Sequence, residues 1–307
     1  MSGTISIALE DLLQLRAEAV GFSLLPRQPV GSLLAGRHHS RLRGRGLSFE
    51  ELRRYVAGDD IRTIDWRATA RLRQPYVRVY NEERERPVLL VVDQRTPMFF
   101  GSQRAMKSVV AAELAALGAW RALSSGDRIG GIVFNDSEVV DLRPQRSQNH
   151  VLRLLHEVVR LNRLLPTSSV TSGPVSLNTA LEAARRRAVH DYLVVLISDL
   201  DGADGETQRL ATQIAAHNDM LVLAIYDPLG AQLLAFPGMV ADDRGERITL
   251  PHQHSFAANF QRAFSELVQL WRSHFRALRV PVLPITTHES VAEQIRGLFG
   301  GGAEKSR

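Results

Sequence analysis

The chain has 307 residues, 38 Lys plus Arg against 33 Asp plus Glu, 44% hydrophobic residues and no cysteine. That balance suits a globular protein with a sizeable core and excludes a disulfide framework, Cys-ligated zinc and a Cys nucleophile. No apolar run approaches the ~20 residues of a membrane-spanning helix, and the opening MSGTISIALEDLL lacks the basic and apolar regions of a secretory signal. A cytoplasmic location with no membrane span is therefore expected.

In chain order, Ile7, Leu9, Leu12, Leu13, Leu15, Val20 and Phe22 recur at helical spacings and predict a docking helix, which Pro26 and Pro29 end. A glycine-interrupted basic loop follows, GRHHSRLRGRG, with Arg37, Arg41, Arg43 and Arg45. Such a loop can meet phosphate, acidic protein or RNA. It lacks interleaved aromatics, and the whole-chain excess is only +5, so nucleic acid is not the expected partner. The basic residues are almost all arginine; Lys107 and Lys305 are the two lysines. From Leu47 to Arg86 the apolar residues come in short groups, and YVRVY at 76–80 alternates as a strand does. A small, partly β segment is expected there.

From Pro87 the texture changes to apolar strands separated by helical stretches, the pattern of a mostly parallel sheet with helices on both faces. The predicted organisation is 1–86, 87–300 and a disordered tail at 301–307. Predicted strands are Val88–Asp93, Arg128–Phe134, Glu138–Leu142, Tyr192–Ser198, Met220–Tyr226 and Val280–Ile285. Predicted helices are Gln103–Ser124, Ser147–Leu165, Leu177–Val189, Glu206–His217, Ser255–Leu278 and Ser290–Phe299. The short link Asn135–Ser137 reads as a hairpin, hence one antiparallel edge strand. Pro166–Ser176 reads as an exposed loop, residues 238–250 as a further hairpin, and HQH at 252–254 as a loop whose two imidazoles lack a third metal ligand. SGDRIG at 125–130 lacks the ending of a phosphate-binding loop, so the chain is not expected to hydrolyse ATP.

Ligands of open α/β sheets bind beyond the carboxyl ends of the strands. Two predicted strands end there in aspartate: Asp93 closes PVLLVVD, and Asp199, followed by Asp201, closes LVVLISDLD. These carboxylates can hold a hard cation or simply cap turns. With few oxygen ligands in sight, capping is the better reading.

The segment from Pro87 to about Phe299 resembles a von Willebrand factor A-type domain, a Rossmann-like fold. That family's metal-ion-dependent adhesion site takes DxSxS after the first strand, a Thr from a later loop and an Asp after the fourth strand. Here Asp93-Gln94-Arg95-Thr96-Pro97 puts Arg95 and Pro97 where the serines belong, and Val175, beside Ser176, stands at the threonine. The resemblance thus implies a degenerate site in which Arg95 neutralises Asp93 directly. No cofactor is expected; were magnesium to bind, Asp93, Asp199 and Ser176 would be its ligands.

Residues 36–86 resemble the signature of a bacterial domain-of-unknown-function family, number fifty-eight. Gly36, His38, Ser40, Gly58, Asp59, Asp60, Arg62, Asp65, Trp66 and Arg71 are among the matching residues. The aspartates of GDDIRTIDWRATAR are expected to pair with Arg62, Arg67 and Arg71, and the Trp66 ring to be buried. The family resemblance implies a partner, a MoxR-type AAA-plus ATPase, beside which the chain acts on an unknown client as a non-enzymatic adaptor or chaperone-like component. The partner-binding residues expected on this view are Asp93, Arg95, Thr96 and Asp199 at the strand ends, with Arg37, His38, Arg41, Asp59, Asp60 and Arg62 on the signature segment. Alanine at Asp93 and Asp199 is expected to weaken capture of the ATPase and to leave the melting temperature within a few degrees. The alternatives are a divalent-metal-dependent ligand binder and a hydrolase using His38, Asp59 and Asp65.

Overall fold

The computed structural model describes residues 4–19, 47–56, 61–82, 86–165, 174–228, 240–243, 246–249 and 280–299. The basic loop with Arg37, His38 and Arg41, Asp59 and Asp60, the HQH tripeptide, the helix expected at 255–278 and the tail 301–307 lie outside the described residues. The chain divides into two compact units, Ser32–Glu85 and Met1–Gly31 with Arg86–Arg307.

The larger unit opens with α1 (Leu9–Gln14). Then come β3 (Val88–Asp93), α3 (Lys107–Ser124), β4 (Ile129–Phe134), β5 (Val139–Gln145), α4 (Gln148–Leu164), α5 (Leu177–Arg187), β6 (Leu193–Ser198), α6 (Gly205–Ala215), β7 (Asp219–Tyr226), the pair β8 (Val240–Asp243) and β9 (Glu246–Thr249), β10 (Val282–Thr286) and α7 (Val291–Phe299). Six strands form a sheet in the order β10-β7-β6-β3-β4-β5. Every neighbouring pair is parallel except β4 with β5, the antiparallel edge expected from the short hairpin. Its tip closes because Asn135 Oδ1 accepts from the Ser137 and Glu138 amides. The pair β8 and β9 is antiparallel, as the reading of 238–250 anticipates.

VLLVVD in β3 and LVVLIS in β6 are buried at every position, as central parallel strands covered on both faces must be. On one face Leu12, α3, α4 and α7 contribute a single apolar cluster; on the other, α5 and α6 contribute a second. IGGIVF in β4 needs its glycines for close approach: a Cβ on Gly131 would lie 2.4 Å from Leu154 Cδ1, and one on Gly130 2.6 Å from the Leu142 carbonyl oxygen. The N-terminal segment joins this unit firmly. Thr4 N donates to the Arg104 carbonyl and its own carbonyl accepts from Met106 N, while the buried Leu12 carbonyl accepts from Trp120 Nε1. Its helix is shorter than the spacing predicts; turns follow Gln14.

The smaller unit pairs β1 (Leu47–Arg54) with β2 (Tyr76–Glu82) antiparallel, and between them carries a 3-10 turn (Ile61–Thr63) and α2 (Trp66–Leu72). Asp65 caps α2, its carboxylate accepting from the Arg67 and Ala68 amides. The expectation of a buried Trp66 is corrected: its residue is 67% exposed, because α2 turns Ala68 and Thr69 inward instead.

Two stability predictions follow from the helix layer. At Gly118, inside α3, an added Cβ would meet Leu90 at an ordinary 3.5 Å. Gly118→Ala is expected to stabilise by about 1 kcal/mol, raising Tm by about 2–4 °C in a thermal melt. His150 is buried and its Nε2 has no hydrogen-bond partner; burial, then the Arg153 charge, push its imidazole below the ordinary 6.5. The unfolded chain takes up this proton near pH 6.5 and the folded chain only lower, so the stability the neutral ring contributes is complete above about 6.5 and is lost as pH falls toward the folded value. Urea midpoints between pH 7 and 5 should fall less in His150→Leu than in the parent.

Candidate functional site

At the carboxyl edge β3 delivers Asp93 and neighbouring β6 delivers Ser198 and Asp199. Asp93 is wholly buried, and four donors occupy its oxygens. Oδ1 accepts from Arg95 N (3.0 Å) and Nε (3.1 Å); Oδ2 accepts from Arg95 Nη2 (2.7 Å) and Ser198 Oγ (2.7 Å). Arg95 is itself buried, its guanidinium packed 5.5 Å from the Phe134 ring centre, and Nη2 also donates to the Asp201 carbonyl. Burial pushes the Asp93 carboxyl above its ordinary value against the pull of Arg95. Burial also disfavours charged Arg95, but the carboxylates of Asp93, Asp199 and Asp201 together more than offset this and hold the guanidinium above its ordinary value. A proton on Asp93 would cost one of four hydrogen bonds, so the geometry holds the ion pair.

The second aspartate has its own cation. Asp199 Oδ1 accepts from Asp201 N (3.0 Å), and Oδ2 pairs with Lys107 Nζ at 2.5 Å. Lys107 is the first residue of α3 and sits 5.9 Å from the ring centre of Phe100, which is 46% exposed. Thr96 faces the β4–β5 hairpin: its amide and hydroxyl donate to Asp136 Oδ2 at 2.7 and 2.8 Å. Behind the rim Asn162 accepts from Ile7 N and donates to Gln94 Oε1, and Gln94 donates to the Ser108 carbonyl.

The expected residues Asp93, Arg95, Thr96 and Asp199 thus share one strand-end rim. Ser176 is engaged in capping α5 through Thr179. Arg62 is an exposed residue of the smaller unit. Closure of Asp93 corrects one expectation: its alanine variant would disrupt the buried pair and could not leave the melting temperature nearly unchanged. The sequence reading missed Lys107, Ser198 and Asp136. Lys107 had a signal, as one of two lysines in an arginine-rich chain; the others are ordinary polar residues whose roles depend on which strands adjoin.

A cation approaching Asp93 would have to displace a buried guanidinium, and among the described residues no group of three or more His, Asp and Glu is arranged for a metal. A second polar cluster lies beside the rim. Ser102 Oγ is 2.6 Å from Asp227 Oδ1 and 3.0 Å from His288 Nε2, and Thr287 Oγ1 donates to Asp227 Oδ2. The carboxylate takes the one hydroxyl proton, so His288 meets that oxygen as a donor, the reverse of a general base. Of the proposed hydrolase residues only Asp65 is described, and it caps α2.

The family model for a protein of unknown function, DUF58, matches residues 51–266. Uncharacterized proteins of Mycobacterium bovis and of two strains of Mycobacterium tuberculosis are similar to this chain. Each is 28% identical over 221 residues, 72% of this chain and 68% of the relative.

Arg95→Ala would leave Asp93 buried and unpaired, and is expected to cost about 3–5 kcal/mol in urea unfolding. Removing both charges, in Asp93→Leu with Arg95→Met, should recover most of that loss.

Proposed function

The chain belongs to the DUF58 family of proteins of unknown function, and on that footing we propose that it is a non-enzymatic, chaperone-like adaptor. On this reading the sheet unit is a von Willebrand factor A-like domain whose strand-end rim is gripped by a MoxR-type AAA-plus ATPase acting on a client protein. The observation that supports it most is the internal neutralisation of both strand-end carboxylates, Asp93 by Arg95 and Asp199 by Lys107. A carboxylate so committed is neither a free base nor an open ligand. What the rim offers instead is a fixed surface with an exposed aromatic, Phe100, beside the Lys107 ammonium and the exposed Asp201. An aromatic flanked by charges on a rigid edge is suited to protein recognition.

Asp201 and Phe100 test this better than the buried aspartate. Tagged chain is used to capture the ATPase from native lysate with and without ATP and magnesium. Phe100→Ala with Asp201→Lys is expected to reduce nucleotide-dependent recovery at least fivefold and to leave Tm within about 2 °C, since exposed substitutions are nearly neutral. Undiminished recovery would move the contact away from this rim.

A further inference from the structure

The smaller unit carries a face that the strand-end reading does not use. Helix α2 buries none of its residues. Its inward side holds the half-buried Ala68 and Thr69, with Thr69 Oγ1 accepting from Tyr76 N to pin the helix to β2. At 100° per residue, Trp66, Arg67, Ala70 and Arg71 fall on the opposite arc, and all four are exposed, as is Arg73, which ends the helix in the left-handed conformation. Trp66 is 67% exposed, and among the described residues Arg67, Arg71 and Arg73 enter no ion pair. The one acid of the segment 61–73, Asp65, spends its carboxylate on the helix cap. Small Ala70 falls between Trp66 on one side and Arg67 and Arg71, spaced i and i+4, on the other.

We propose that this face of α2 docks an acidic segment of a partner protein, an apolar side chain seated over Ala70 against Trp66 and flanking carboxylates bound by Arg67 and Arg71. Charge complementarity selects the occupant: Arg67 and Arg71 on the arc and Arg73 at its end, with no ion pair among the described residues and no acid on the arc, favour a negatively charged partner, and planar guanidinium forks match carboxylates in pairs. Tryptophan and arginine are also the side chains that most often carry interface energy. Single-stranded nucleic acid would need a succession of aromatic platforms, and this arc has one. A seven-residue helix is marginal alone; the Asp65 cap and the Thr69 bond keep it formed without burial, so the face is organised before anything binds. The proposal goes beyond the adaptor reading and does not depend on the ATPase being the partner.

The full chain is applied to a microarray of random twelve-residue peptides, and the composition of the bound set is read. Peptides rich in Asp and Glu around an apolar residue are expected to be enriched. For the best of them, measured by fluorescence anisotropy, Arg67→Gln with Arg71→Gln should weaken binding at least tenfold and Trp66→Ala at least threefold. Arg163→Glu, an exposed charge change on α4, should leave it unchanged, and circular dichroism should show all variants folded. A bound set without acid enrichment, or equal affinity in the α2 variants and the parent, would overturn the proposal. So would tighter binding of a twelve-nucleotide oligouridylate that is lost in the same variants. Retained ATPase capture by the α2 variants would leave the strand-end reading standing while this one is judged on the peptides.

Discussion

A carboxylate closed from solvent at the end of the central strand constrains the entire carboxyl edge. Stripped of water, Asp93 is tolerable only with a cation and donors at hydrogen-bond distance. Arg95 can supply three of the four only if the chain folds back at once after β3, so that its amide and its guanidinium reach the same carboxylate. That reversal leads into the 3-10 turn at Thr96–Met98 and brings Thr96 to Asp136. The fourth donor, Ser198, comes from β6, where the parallel register sets Val92 against Ile197. Strand order, loop path and ion pair are therefore one arrangement: none of the three can change without leaving a buried charge incompletely paired.

The second pair extends this rigidity across the sheet. Lys107 reaches Asp199 from the first position of α3, and that position is held by residues distant in sequence. Met106 N donates to the Thr4 carbonyl and Lys107 N to that of Phe100. Asp227, at the end of β7, gathers the Ser102 amide and hydroxyl and the Thr287 hydroxyl, lashing the loop before α3 to the far side of the sheet. The buried Asn162 and Gln94 amides join the N-terminal segment to the residue between Asp93 and Arg95. A rim whose polar groups are this fully engaged presents its exposed side chains without first having to order them, which is what lowers the entropic cost of association.

Much of the fold is legible in the sequence because its signal is local. Apolar runs such as VLLVV and LVVLI, each closed by a polar residue, can only be central strands in a chain with intervening helices, and the tight Asn135–Ser137 link dictates the antiparallel edge. The strand-end aspartates and the arginine two residues after Asp93 are visible for the same reason, since the loop pairs within itself. The rest of the rim is not local. Lys107 meets Asp199 across 92 positions and Ser198 meets Asp93 across 105, distances that no spacing rule covers. Trp66 misled for a physical reason: tryptophan is usually interior, but its place on α2 is decided by the Asp65 cap and by which residues face β2. Alternation and helical phase can assign a face, yet only the packing of the neighbouring strand says which face is covered.

The two surfaces differ in what controls them. At the strand-end rim the positive charges are covalently part of the chain and at least partly desolvated, so the neutralisation of Asp93 and Asp199 does not vary with the concentration of any ion, and on the proposed reading recognition there would rest on shape around Phe100. On α2 the guanidinium groups are exposed, so association through them would be favoured at low ionic strength and screened within about 10 Å at 0.1 M salt. Built-in ion pairs thus fix one surface permanently, and exposed arginines leave the other responsive to its surroundings. On the two proposals, such a chain would hold one partner by fit while gaining and releasing another by charge.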